Sequence, residues 1–195
     1  ISLLAENKKV MPYIDIPMQH VSGSVLGSMG RKGDSAAYRE LVARLRRNVP
    51  GIRIRSTFMV GYPGETDRDF EELLQFVKEV KIDRVGCFMY SPEEDTAAAS
   101  LGDTVPGKKK KQRFNRLMNA QKKISLAKNK SLVGRQVTVL VEEKIDDHNW
   151  IGRTQYDAPE VDGIFFLTGD NVTVHSFVEA IVADALEYDL AGEPV

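Results

Sequence analysis

The chain has 195 residues, of which 42% are hydrophobic and 28% charged, and its formal net charge is −1. This length suits one ordinary domain plus a small one, and no apolar run approaches the roughly 20 residues needed to span a bilayer. Its single cysteine, Cys87, excludes an internal disulfide and any cysteine-only metal or iron–sulfur site made by this chain alone.

Along the chain, Tyr13 to Pro17 (YIDIP) reads as a short strand ended by proline. Tyr38, Leu41, Val42 and Leu45 recur at helical spacing, with Asp34 or Ser35 as N-cap and Pro50-Gly51 as the break. Ile52 to Val60 begins in strict alternation and reads as a second strand, followed by a turn over Gly61 and Pro63-Gly64. Thr66 or Asp67 then caps a helix whose Phe70, Leu73, Leu74 and Val77 share one face. Arg84 to Tyr90 is a third strand. Strands alternating with helices predict a parallel α/β arrangement, but three such units cannot close an eight-stranded barrel.

Pro106 to Lys130 is a long helix holding ten Lys or Arg and no acid, with Phe114, Leu117, Met118, Gln121 and Ile124 in a mostly apolar stripe. It reads either as a docking helix with a solvated basic face or as a face for RNA or another acidic surface. Beyond it the character changes. Gln136 to Val141, Trp150 to Thr154, Gly163 to Leu167, Val172 to Val174 and Phe177 to Ala183 are five short strand-like runs, which predict a small antiparallel barrel of the OB-like kind. The expected division is therefore 1–131 and 132–195.

The near-neutral total hides two pieces of opposite sign. Residues 132–195 hold three cationic side chains against thirteen carboxylates, a formal charge of −10, and the rest of the chain stands at +9. A module so acidic is poorly suited to phosphates and well suited to a basic protein.

In a parallel α/β sheet, ligands gather at the C-terminal ends of the strands. Those ends here are Pro17 to Ser22, Met59 to Thr66, and Tyr90 to Glu93. Gln19 and Ser22 can hydrogen-bond sugar hydroxyls, Gly61 and Gly64 allow a close backbone approach, and Arg55 can pair with a ligand carboxylate. Each has a plainer alternative: a simple turn, loop-satisfying polar groups, or an arginine facing solvent on an edge strand. Cys87 reads as core. His148 and His175 have no partners at metal-ligand spacing, and no phosphate-loop or serine-nucleophile signature is present.

Taken in order, YIDIPMQHVSGSVLGSMGR, RSTFMVGYPGET and FMYSPEEDTAA resemble the C-terminal half of a radical S-adenosylmethionine (SAM) domain, in particular that of the methylthiotransferases. Residues 132–195 resemble that family's TRAM barrel, and QYDAPEVDG with ALEYDLAGEP points to the branch acting on ribosomal protein S12. The fold class implied is a partial (β/α) barrel followed by a small all-β OB-like barrel. The resemblance implies SAM and 4Fe-4S clusters as cofactors and methylthiolation of an S12 aspartate β-carbon, and the single cysteine fits a reducing, cytoplasmic setting. It places Gln19 and Ser22 near the SAM ribose, Arg55, Met59 and Gly61 near the rest of SAM, and Arg31 as a further polar contact. Asp157, Glu160 and Asp162 become the expected S12 contacts.

The chain departs from the family in lacking the C-x-x-x-C-x-x-C triad that holds the cluster, so the piece alone is expected to be inactive. Its opening Ile rather than Met reads as an excerpt or a processed chain. Two alternatives stay open: a tRNA methylthiotransferase, whose barrel should be basic and aromatic, and a cluster-free binding module.

Overall fold

The computed structural model describes residues 1–7 and 9–195. Their contacts divide them into two units: Ile1–Ala5 with Ile14–Gln121, and Glu6–Tyr13 with Lys122–Val195. The division falls inside the long helix rather than after it.

Apart from Tyr13, the first unit holds a three-stranded sheet in the order β1 (Tyr13–Asp15), β2 (Arg53–Val60), β3 (Arg84–Met89). β2 and β3 run parallel, with Arg55 opposite Arg84 and Met59 opposite Phe88. Burial along β2 alternates strictly, because successive side chains point to opposite faces. Ile54, Ser56, Phe58 and Val60 are buried, and Phe58 meets Phe76 edge-on at 6.3 Å between centroids. Arg53, Arg55, Thr57 and Met59 take the other, half-exposed face.

Two well-capped helices, α3 (Ser35–Asn48) and α4 (Asp67–Val80), connect the strands. Asp34 accepts the Ala37 amide at 2.8 Å, and Thr66 forms a reciprocal capping box with Asp69. α4 buries Phe70, Leu73, Leu74, Phe76, Val77 and Val80. Two short helices that the sequence reading passed over, α1 (Ser2–Glu6) and α2 (Gly23–Ser28), complete the set before α5 (Gly107–Lys130).

The second unit is a closed barrel in the order β4 (Gln136–Lys144), β5 (Asn149–Thr154), β6 (Phe165–Thr168), β8 (Leu190–Pro194), β7 (Phe177–Ala185). All its pairings are antiparallel except β6 with β8. Five strands were expected and five form the barrel, but one differs. Val172 to Val174 is not a strand; Val172 and Val174 pack onto the core from a turn. The fifth strand is Leu190–Pro194, which closes the ring between β6 and β7. Closure is tight. A side chain at Gly152 would meet the Leu140 carbonyl oxygen at 2.4 Å, and one at Gly192 the Ile181 carbonyl oxygen at 2.0 Å.

Candidate functional site

The ends of β1 and β2 are joined through the backbone. The Gln19 amide donates to the Thr57 carbonyl at 2.8 Å and the Met59 amide to the Gln19 carbonyl at 2.7 Å. Gln19 takes a left-handed backbone, φ 66°, which is unfavourable for a residue with a side chain. The two flanking hydrogen bonds hold it there. Gln19 and Met59 are thus neighbours. Arg31 reaches the same rim by donating from Nη2 to the Pro17 carbonyl at 2.7 Å. Arg55 lies on the half-exposed face of the central strand, with Nε 3.5 Å from Asp15 Oδ2, so the edge-strand reading of it does not apply.

Ser22 is placed differently. It is buried, and its hydroxyl donates to Asp69 Oδ1 at 2.5 Å, a carboxylate that also accepts from Ser24 at 2.9 Å. Burial by itself raises the Asp69 carboxyl, but hydrogen bonds from Ser22, Thr66 and Ser24 outweigh it and hold the group well below the usual carboxylate range. Asp69 therefore caps α4 and anchors the loop after β1 at once.

Gly61, at φ 78°, begins the turn after β2. The lack of a side chain makes room for a neighbour: an added Cβ would fall 2.3 Å from Lys110 Cγ. Its amide donates to Glu65 Oε2, and the Gly64 amide donates to Thr104 Oγ1 at 2.8 Å. Glu65 is buried, with Oε1 3.3 Å from Arg113 Nη1 and 3.9 Å from His20 Nε2. His20 Nδ1 accepts the Ser22 amide at 3.0 Å, which leaves the proton of the neutral ring on Nε2, facing Glu65. Sequence reasoning missed this cluster because its members are far apart in the chain.

The helix α5 keeps an exposed basic face at Lys108, Lys111, Lys122, Lys123 and Lys130 and buries Leu117 and Gln121 of its stripe, but two of its cations leave that face. Lys110 and Arg113 are buried. Lys109 and Arg113 both reach Asp67 at 2.8 Å, and Arg116 pairs with Glu71 through both carboxylate oxygens. Hydrogen bonds from Lys109 and then Arg113 lower the Asp67 carboxyl, and Arg116 lowers that of Glu71.

In the second unit, the three expected partner contacts separate. Asp157 is buried and accepts the Thr154 hydroxyl at 2.6 Å. Asp162 accepts the Tyr13 hydroxyl at 2.6 Å and the Ala158 amide at 2.9 Å. Both brace the loop between β5 and β6, and Glu160, exposed at φ 66°, stands out from it. A largely apolar cleft of about 700 Å³ lies in this unit, lined by Met11, Tyr13, Leu140, Arg153, Gln155 and Phe177 among others.

The family model of the radical SAM superfamily matches residues 1–77, and that of the TRAM domain matches residues 133–195. Relatives called "Ribosomal protein uS12 methylthiotransferase RimO" match along the whole length. That of Pectobacterium atrosepticum is 47% identical over 100% of this chain and 44% of its own. That of Desulforamulus reducens is 43% identical over 99% of this chain and 44% of its own. The chain is similar to these radical SAM methylthiotransferases along its whole length. It spans less than half the length of these relatives. Among solved structures, coproporphyrinogen III oxidase (HemN) from Escherichia coli, a radical SAM enzyme, aligns over 55% of this chain and 25% of its own, with a TM-score of 0.45 and 19% identity.

The radical SAM match implies SAM and iron–sulfur chemistry in general, and the two groups fit this chain differently. A cluster does not fit. Cys87 is buried in β3, burial and then the Glu65 charge push its thiol up to about 12, and no group of three potential metal ligands exists among the described residues. SAM fits better: the rim formed by Gln19, Met59 and Arg31 joins polar groups to an apolar side chain beside a half-exposed sheet face carrying Arg55.

Proposed function

We propose that this chain is the C-terminal part of an enzyme that attaches a methylthio group to an aspartate β-carbon of ribosomal protein S12. The observation that carries this is similarity along its whole length to proteins of that name. In this reading Gln19 contacts the SAM ribose, and Arg55, Met59 and Gly61 line the rest of the molecule. Arg31 holds the rim, and Ser22 acts through Asp69 by fixing the loop that carries Gln19. The 4Fe-4S clusters belong to residues outside this chain and, when bound, supply the reducing and hydrogen-abstracting chemistry. The setting is the cytoplasm, where S12 is made, and no helix among the described residues is long and apolar enough to cross a membrane.

The acidic barrel supports a basic protein partner over RNA. Asp157 and Asp162 shape the loop and Glu160 meets the partner. The decisive experiment offers S12 and tRNA separately to the full-length, cluster-loaded protein with SAM. Mass spectrometry should find one methylthio group on an S12 aspartate and none on tRNA. Modification of tRNA alone would overturn the reading. Binding of this chain to S12 should also weaken with salt, and neutralising Glu160 should weaken it further.

A further inference from the structure

We infer that Lys110 is a positioning residue that latches the loops after β2 and β3 into the shape required for SAM; this rests on the reading that Met59 to Gly61 contacts SAM. Lys110 lies in the first turn of α5 and is 5% exposed. Burying an ammonium is unfavourable unless it is paired and hydrogen-bonded. Here its Nζ donates to the Tyr90 carbonyl, at the end of β3, at 2.9 Å and lies 2.6 Å from Asp103 Oδ1. It also stands 5.1 Å from the centre of the Tyr90 ring.

The stem of the same side chain fills the space that a Cβ at Gly61 would need. One residue therefore touches the end of β2 with its methylenes and the end of β3 with its charge. One turn later Arg113 grips the other end of the β2 loop, donating to the Glu65 carbonyl at 3.2 Å while pairing with the Glu65 carboxylate that holds the Gly61 amide. A methionine would pack at 110 without the desolvation of a charge. The lysine is explained by what its charge adds, a fixed position for the Tyr90 carbonyl relative to Gly61.

The test compares wild type, Lys110→Met and Lys110→Ala by hydrogen exchange of the peptide spanning residues 59–66, and by SAM affinity of the full-length protein in equilibrium dialysis. Lys110→Met keeps the stem and loses the charge. It should speed exchange in residues 59–66 about tenfold, leave the β4–β8 barrel unchanged, and weaken SAM about tenfold. Lys110→Ala should do more of both. Asp103→Asn removes only the exposed partner and serves as a milder variant, with an intermediate effect. Unchanged exchange in residues 59–66 for both Lys110→Met and Asp103→Asn would overturn the latch. Faster exchange with unchanged SAM affinity would keep the latch and overturn instead the reading of this loop as a SAM contact.

Discussion

Arg113 Nη1 and Glu65 Oε1 lie 3.3 Å apart with both side chains buried, in a pair that spans 48 residues of chain. Glu65 in turn holds the Gly61 amide. Removing one partner leaves the other charged and desolvated, which typically costs about 3–5 kcal/mol. Arg113→Met should therefore destabilise the first unit by roughly that amount. The double variant with Glu65→Gln should recover part of the loss. Urea unfolding followed by a probe in the first unit measures both, and simple additivity of the two changes would refute the coupling.

Asp69 gives a pH signature. Its carboxyl is depressed by hydroxyl donors from two loops. A group depressed in the folded state contributes stability above its unfolded value, near 4, and loses it as pH falls. Asp67 and Glu71 shift in the same direction. The first unit should lose stability on acidification below about pH 4. Asp69→Asn should flatten that limb and cost about 1 kcal/mol at neutral pH through the weakened cap. Thermal melts between pH 2 and 7 check both.

Two glycines within the barrel strands serve for space rather than for backbone freedom, as Gly163 does just before β6. At Gly152 and Gly192 a methyl group would press against the backbone of a neighbouring strand, which cannot move aside without opening the ring. Gly192→Ala should destabilise the second unit by roughly 1–3 kcal/mol and leave the first unaffected. Gly64→Ala meets no atom, and only its positive φ opposes it. Domain-resolved unfolding separates the two variants.

Phe88 and Met89 end β3 at 63% and 43% exposure, where the sheet stops. An apolar strand end of this kind favours association. The isolated chain should self-associate as its concentration rises, and Phe88→Ser should reduce this without changing the melting of the barrel. Sedimentation velocity reads the outcome.

What could be read from the sequence was what local chemistry decides. The starts of α3 and α4 were legible because Asp34 and Thr66 bond to amides three residues on. The alternation of Arg53 to Val60 announced a strand with two unlike faces. The misreadings share a cause, which is partners far away in the chain. Leu190–Pro194 contains Gly and Pro, which argue against a strand, and it forms one because β6 and β7 flank it. Lys110 and Arg113 looked like solvated charge because Tyr90, Glu65 and Asp67 lie 20 to 48 residues before them. Ser22 looked free to meet a ligand because Asp69 is 47 residues away. The strand-end rim was legible as a place, while the use each residue makes of it was not.

The burial of Cys87 has a practical side. A thiol with so high a pKa offers almost no thiolate at neutral pH, so the folded chain behaves as a cysteine-free background. A single cysteine introduced at the exposed Lys123 would then carry a fluorophore or spin label selectively, with no native cysteine removed first. Local motion can be followed that way with Ser24, Asp69 and Glu160 left in place.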